Sequence, residues 1–218
     1  MNQVQVLKLF PEAVLKYKVE NYQKFNQELS KYIYELYESD NIGLKKSNKG
    51  GWHSQNFRLM EKDTIQNKFT LEMSKYIFNA FKNFGWKIEN KKIQVTEMWA
   101  IINKKNDFNV LHTHPNCYLS AAYYVKTNKN CGNFEVECPN IAKRHSFPEL
   151  DVKNELNLNI ASIDISDGDL LLFPSYLLVF FSTTSFFEVL ETFSASDKTL
   201  PSFEKILFIL IIEYSCLC

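Results

Sequence analysis

Asn109-Val110-Leu111-His112-Thr113-His114-Pro115 is the stretch on which the reading of this chain turns. Side-chain direction on a strand repeats every two residues, so His112 and His114 project to one face and can reach one metal ion. A mononuclear iron site of the facial-triad kind needs a third protein ligand and open positions beside it. The remaining histidines are His53 and His145, and the only arginines are Arg58 and Arg144. Everything beyond residue 145 lacks both residue types.

The segments around the histidines have the texture of strands. Lys92 to Asn103 is rich in β-branched and aromatic residues, Leu119 to Lys126 reads LSAAYYVK, and Asn133 to Glu137 and Asn159 to Ile165 alternate. Asp167-Gly168-Asp169 turns the chain into Leu170–Phe173, which Pro174 ends. Short strands at even spacing indicate an all-β sandwich or barrel. Ahead of them the period changes. Tyr22, Phe25, Leu29, Ile33 and Leu36 line one face of a helix from Asn21 to about Ser39. Ile65, Phe69, Met73, Ile77 and Phe81 line a second, with Gly85 as its stop. Residues 4–9 and 13–18 read as two short strands around Pro11.

Composition bounds the function class. Twenty-five basic and 25 acidic residues cancel, so no broad nucleic-acid footprint is expected. Five cysteines without a CxxC pair argue for free thiols in a reducing cytoplasm rather than a disulfide framework. The N-terminus has no signal-peptide pattern, and the apolar run Ile206–Ile212 is too short to span a bilayer, so a cytoplasmic protein without a membrane partner is expected.

Five motifs occur in one order: Ser47-Asn48-Lys49-Gly50-Gly51-Trp52-His53-Ser54; Trp99-Ala100-Ile101-Ile102-Asn103; the His112/His114 stretch; Ser120 to Val125; and Gly168 to Leu177. Together they resemble a family of small 2-oxoglutarate- and Fe(II)-dependent oxygenases frequent in marine bacteria and their phages. The resemblance covers roughly residues 5 to 178. It implies a mainly β fold with N-terminal α-helices on a double-stranded β-helix, a jelly-roll, cupin-like barrel. It further implies Fe(II) held by His112 and His114, with 2-oxoglutarate as cosubstrate, decarboxylated to succinate while a substrate is hydroxylated. Asn103, Asn109, Tyr124 and Lys205 are the candidate cosubstrate-binding residues. The substrate, a small molecule or a protein side chain, cannot be read from these residues.

The pattern then breaks. The family continues from FPS[WY]L to a histidine two residues past the leucine, its third metal ligand, and later to an arginine that pairs with the far carboxylate of 2-oxoglutarate. Here Leu178, Val179 and Phe180 follow Leu177, and Glu204-Lys205-Ile206 carries lysine instead. A change of reading frame near Val179 would account for the break, and would leave the barrel without its final strands. The other account is a divergent member that recruits different ligands. We favour the frame change, and divide the chain into an N-terminal strand and helical layer (1–90), a jelly-roll core with the metal site (91–178) and an atypical tail (179–218).

Each candidate also has a plainer reading. Asn103 and Asn109 bracket a turn, and turn chemistry alone explains them. Tyr124 is by default a core residue. Lys205 would be a point charge without the guanidinium fork. His53 reads as a turn histidine bonded to backbone, and His145 as a solvated surface residue. A catalytically dead barrel, acting as a binding module or surviving as a pseudogene product, is the alternative to the enzyme. A zinc hydrolase on the same scaffold has no support beyond the histidine pair.

Overall fold

A computed structural model describes residues 4–57, 59, 61–128, 131–145, 148–182 and 204–216, with Arg144, Ser182 and 204–216 described by backbone alone. In chain order the elements are β1 (Leu15–Lys18), α1 (Tyr22–Ser39), β2 (Asn48–Lys49), β3 (Trp52–His53), α2 (Ile65–Asn83), β4 (Lys91–Lys104), β5 (Phe108–His112) and β6 (Leu119–Lys126). There follow β7 (Phe134–Glu137), the short helix α3 (Ile141–His145), β8 (Ile160–Ile163), β9 (Asp169–Pro174), β10 (Leu178–Ser182) and β11 (Glu204–Cys216).

The strands form two sheets, in the order β1-β9-β6-β11-β4-β3 and β2-β5-β10-β7-β8. They face each other as the halves of a jelly roll, with no closed barrel among the described residues. Alternation along the larger sheet sorts its side chains into two cores. Met98, Ala100 and Ile102 of β4, Ala121, Tyr123 and Val125 of β6, and Leu170 and Leu172 of β9 pack beneath the helices. Their neighbours Trp99, Ile101, Ala122, Tyr124, Leu171 and Phe173 pack between the sheets against Phe134, Leu177, Val179 and Phe181. Both faces are covered, which is why SAAYYV and LLLF read as unbroken apolar runs.

The helices form where the periodicity places them. Thr64 caps α2 by accepting from the Asn67 backbone N–H at 3.3 Å, and Gly85 follows its end at φ +69°. Helix α1 is fixed to β6 through one buried polar pair. Asn26 Nδ2 donates to the Val125 carbonyl at 2.6 Å, and the Tyr123 hydroxyl donates to Asn26 Oδ1 at 2.6 Å. Residues 4–9 are the exception. Val4, Val6, Leu7 and Leu9 are exposed and join no strand, because alternation alone does not supply a neighbouring edge; only Leu15–Lys18 pairs, with β9.

Beyond Leu177 the backbone continues in two strands. The boundary at 178/179 falls inside β10, which pairs with β5 on one side and β7 on the other. Strand β11 lies in the middle of the larger sheet, pairing along its length with β4 and through Ile206–Ile212 with β6. The sheet therefore has its final strand.

Asp169 ties β1 to β9. It is 1% exposed, with Lys16 Nζ 3.1 Å away, Lys18 Nζ in contact, and the Ser166 backbone N–H donating at 2.7 Å. Burial pushes its carboxyl upward, but Lys18 and Lys16 outweigh that and hold it below the usual carboxylate value. The stability it contributes is present above the unfolded carboxylate pKa and is lost as pH falls through the depressed native value. Asp169→Asn is expected to destabilise the fold by about 3 kcal/mol, read as a lower urea midpoint at neutral pH. An unchanged midpoint would mean the lysines solvate themselves equally well without it.

Candidate metal and cosubstrate site

Strand β5 ends at His112, and His114 lies two residues further on, in the turn before Pro115 rather than on the strand. The two rings are nonetheless adjacent, with centroids 5.0 Å apart and planes at 87°. His112 Nδ1 donates to the Val110 carbonyl at 2.7 Å, which leaves Nε2 as the free lone pair. The His114 backbone is held from both sides: its N–H donates to the Ser175 carbonyl at 3.1 Å, and its own carbonyl accepts from Cys117 Sγ at 2.9 Å. Ser175 is in turn joined to Ser120 by a 2.7 Å hydroxyl contact. FPS and SAAYYV are thus structural supports for His114.

The His114 ring is buried, and neither ring nitrogen has a hydrogen-bond partner among the described residues. Burial first, then the neighbouring His112, push its pKa down to about 3; burial likewise lowers that of His112. Both imidazoles are neutral at pH 7, the form that ligates metal. A buried imidazole with two unpaired nitrogens carries a standing desolvation cost that a metal ion would remove. His114→Leu is therefore expected to stabilise the metal-free chain by about 1 kcal/mol while abolishing metal binding. The unfolded chain takes up this proton near the ordinary histidine pKa, so stability falls as pH drops from about 6.5 toward 3, and the leucine variant should flatten that limb. A less stable His114→Leu would show that the ring is satisfied as it stands.

The third position is apolar. Val179 on β10 stands directly opposite His112 in the β5–β10 pairing and is fully buried. The register shifts between Val179 and Phe181, a bulge of the kind found beside sites that re-aim a side chain. Among the described residues no group of three His, Cys, Asp or Glu side chains is placed to hold one ion.

The cosubstrate candidates fall on three strands of the larger sheet, β4, β6 and β11, and on β5. Asn103 Nδ2 donates to Asn109 Oδ1 at 3.0 Å and Asn109 Nδ2 to Ser47 Oγ at 3.2 Å, so this pair bridges the two sheets. A methyl group on Gly51 would collide with Asn103 Oδ1, which explains the glycine in the Gly50-Gly51 turn. Tyr124 is buried between the sheets, and burial holds its hydroxyl well above the ordinary tyrosine value. Lys205 is the register partner of Asn103 on β11.

Two neighbours of the pair were not expected. His53 is buried in β3, and its Nδ1 makes the expected backbone bond, donating to the Ser54 carbonyl at 2.6 Å. Its ring stacks on Trp99 at 5.5 Å and 14°, and Trp99 lies 6.2 Å from His114. Only the two-residue period from Asn103 back to Trp99 on β4 could have indicated this. His145, in α3, is exposed as expected, and Cys117, Cys131 and Cys138 are free thiols.

Residues 97–186 match the family model described as "Putative 2OG-Fe(II) oxygenase". The match takes in the histidine pair and the strands around it, less than half of the chain. A comparison with curated proteins finds no match. Among solved structures the chain is similar to a Pseudomonas putida prolyl-4-hydroxylase, with TM-score 0.57 and 8% identity over 92% of both chains. It is similar also to HygX from Streptomyces hygroscopicus with nickel and 2-oxoglutarate bound, with TM-score 0.59 and 11% identity over 93% of this chain and 83% of that one. A Trichoplax adhaerens prolyl hydroxylase, in complex with a peptide fragment of the hypoxia inducible factor oxygen degradation domain, gives TM-score 0.56 and 14% identity over 92% and 83%. At these identities the likeness establishes the fold alone. Among the described residues no helix is long and apolar enough to cross a membrane.

Proposed function

We propose that this chain is a non-haem Fe(II), 2-oxoglutarate-dependent dioxygenase that hydroxylates a small molecule or a protein side chain, with His112 and His114 as its protein ligands to iron. The observation that carries the reading is the buried His114 ring with two unpartnered nitrogens beside a His112 whose Nδ1 is already committed. When bound, Fe(II) with 2-oxoglutarate and molecular oxygen would supply the oxidation that yields succinate, carbon dioxide and a hydroxylated product, one oxygen atom going to succinate and the other to the product. The chain's own part is to hold two neutral imidazoles, fix the His112 tautomer through Val110, and exclude water with Phe173 and Phe181, whose rings lie 6.1 Å from His114 and 6.3 Å from His112. Asn103, Asn109, Tyr124 and Lys205 are the proposed cosubstrate contacts, Lys205 meeting the far carboxylate as a point charge.

Val179 favours a second reading, a barrel that retains the shape and has lost turnover. Two imidazoles alone hold Fe(II) weakly, and a valine cannot supply the third bond. Succinate release from 2-oxoglutarate by the purified chain separates the two. Iron-dependent succinate that disappears in His112→Ala supports the enzyme; none at saturating iron and 2-oxoglutarate leaves the binding module. Sequencing the source DNA from codon 165 onward, and translating all three forward frames, tests whether a histidine stood at the Val179 position.

A further inference from the structure

Trp99 presents a second unmet demand in the same interior. It is 9% exposed, and its indole N–H has no hydrogen-bond partner among the described residues. Indole nitrogen is a donor only, so no tautomer or flip relieves it, and an orphaned buried donor costs stability unless a bound acceptor takes the bond. Its ring is clamped, with His53 stacked on it and His114 tilted against it. Strand pairing fixes the backbone below, since Trp99 stands opposite Ile209 of β11. The indole is therefore held in place beside His114.

We propose that Trp99 is a ligand-reading residue, its indole N–H donating to a carboxylate or keto oxygen of the oxoacid bound next to His112 and His114. This rests on the dioxygenase reading. A neutral donor in an apolar wall suits an oxygen acceptor whose charge is met elsewhere. It also discriminates: an analogue lacking that oxygen leaves the N–H buried and unpaired.

The chain has three tryptophans, Trp52, Trp86 and Trp99, so the 15N-labelled protein gives three indole N–H signals, and Trp99→Phe assigns one of them. Zn(II) serves as a diamagnetic stand-in for iron, and its binding is followed separately by competition with a chromophoric chelator. Adding 2-oxoglutarate to the zinc-loaded protein is expected to move the Trp99 signal downfield and leave those of Trp52 and Trp86 in place. Trp99→Phe is expected to weaken 2-oxoglutarate roughly tenfold without changing zinc affinity. If 2-oxoglutarate binds while the Trp99 signal stays still and Trp99→Phe binds it equally well, the Trp99 assignment falls and the dioxygenase reading stands. If neither zinc nor 2-oxoglutarate binds, the reading itself falls and takes the assignment with it. The signal shift is read on the unaltered chain, so poor folding of the variant cannot mask the result.

Discussion

Replacing Val179 by histidine is expected to raise the affinity of this chain for Co(II) or Fe(II) by about two orders of magnitude, the scale on which metal sites respond to a gained or lost ligand environment. The reason is positional. Val179 and His112 are directly opposed on adjacent antiparallel strands, and opposed side chains share a face with Cβ atoms about 5 Å apart. His112 already has Nδ1 occupied and His114 has both nitrogens unpaired, so a third imidazole completes a set of three neutral donors. Burying that imidazole in place of a fully packed isopropyl group should cost the metal-free protein about 1–2 kcal/mol. Metal should restore the loss by mass action. Two measurements check this: chelator competition for affinity, and the Co(II) absorption bands for coordination. Val179→Ala opens the same space without a ligand and should leave affinity unchanged. If Val179→His binds no better than the alanine variant, His112 and His114 do not point at a common ion.

How much of this was legible beforehand depends on which residues carried a period. The helices were, because Leu29, Ile33, Phe69, Met73 and Ile77 recur at helical spacing and are the buried positions. The jelly-roll strands were legible because β-branched and aromatic runs end in Asn, Gly and Pro turns. The adjacency of His112 and His114 was expected, though for a partly different reason: His114 has left the strand, and the Ser175 carbonyl, rather than strand alternation, positions it. The role of Val179 showed only as a departure from a pattern until the β5–β10 register placed it opposite His112. The pairing of the tail was not legible locally because the partners of β11 lie about 80 to 125 residues away in sequence. The burial of His53 was not legible because Trp99 covers it across a strand pairing that no local window contains.

Ile209→Pro should abolish cooperative unfolding, at a cost on the order of 3 kcal/mol or more. Ile209 pairs with Trp99 on β4 and with Ala122 on β6, so it sits at the middle of a strand bonded on both sides. Proline there removes a ladder donor and thrusts its ring toward a neighbouring strand. The damage would reach the site, since without β11 the edge of β4 that carries Trp99 and Asn103 loses its partner, as does β6 along Leu119–Lys126. Removal of residues 183–218 should act in the same direction and expose two sheet edges to aggregation. Val6→Pro is the control: Val6 is exposed and belongs to no strand, so its melting curve should match the parent. An out-of-frame tail that contributes nothing to the fold makes the opposite forecast, with Ile209→Pro and Val6→Pro equally silent. Thermal melts of the two variants decide between a tail that completes the larger sheet and one that is merely attached to it. The first result would also tie stability to the site, because the strand that closes the sheet is the one that places Lys205 opposite Asn103.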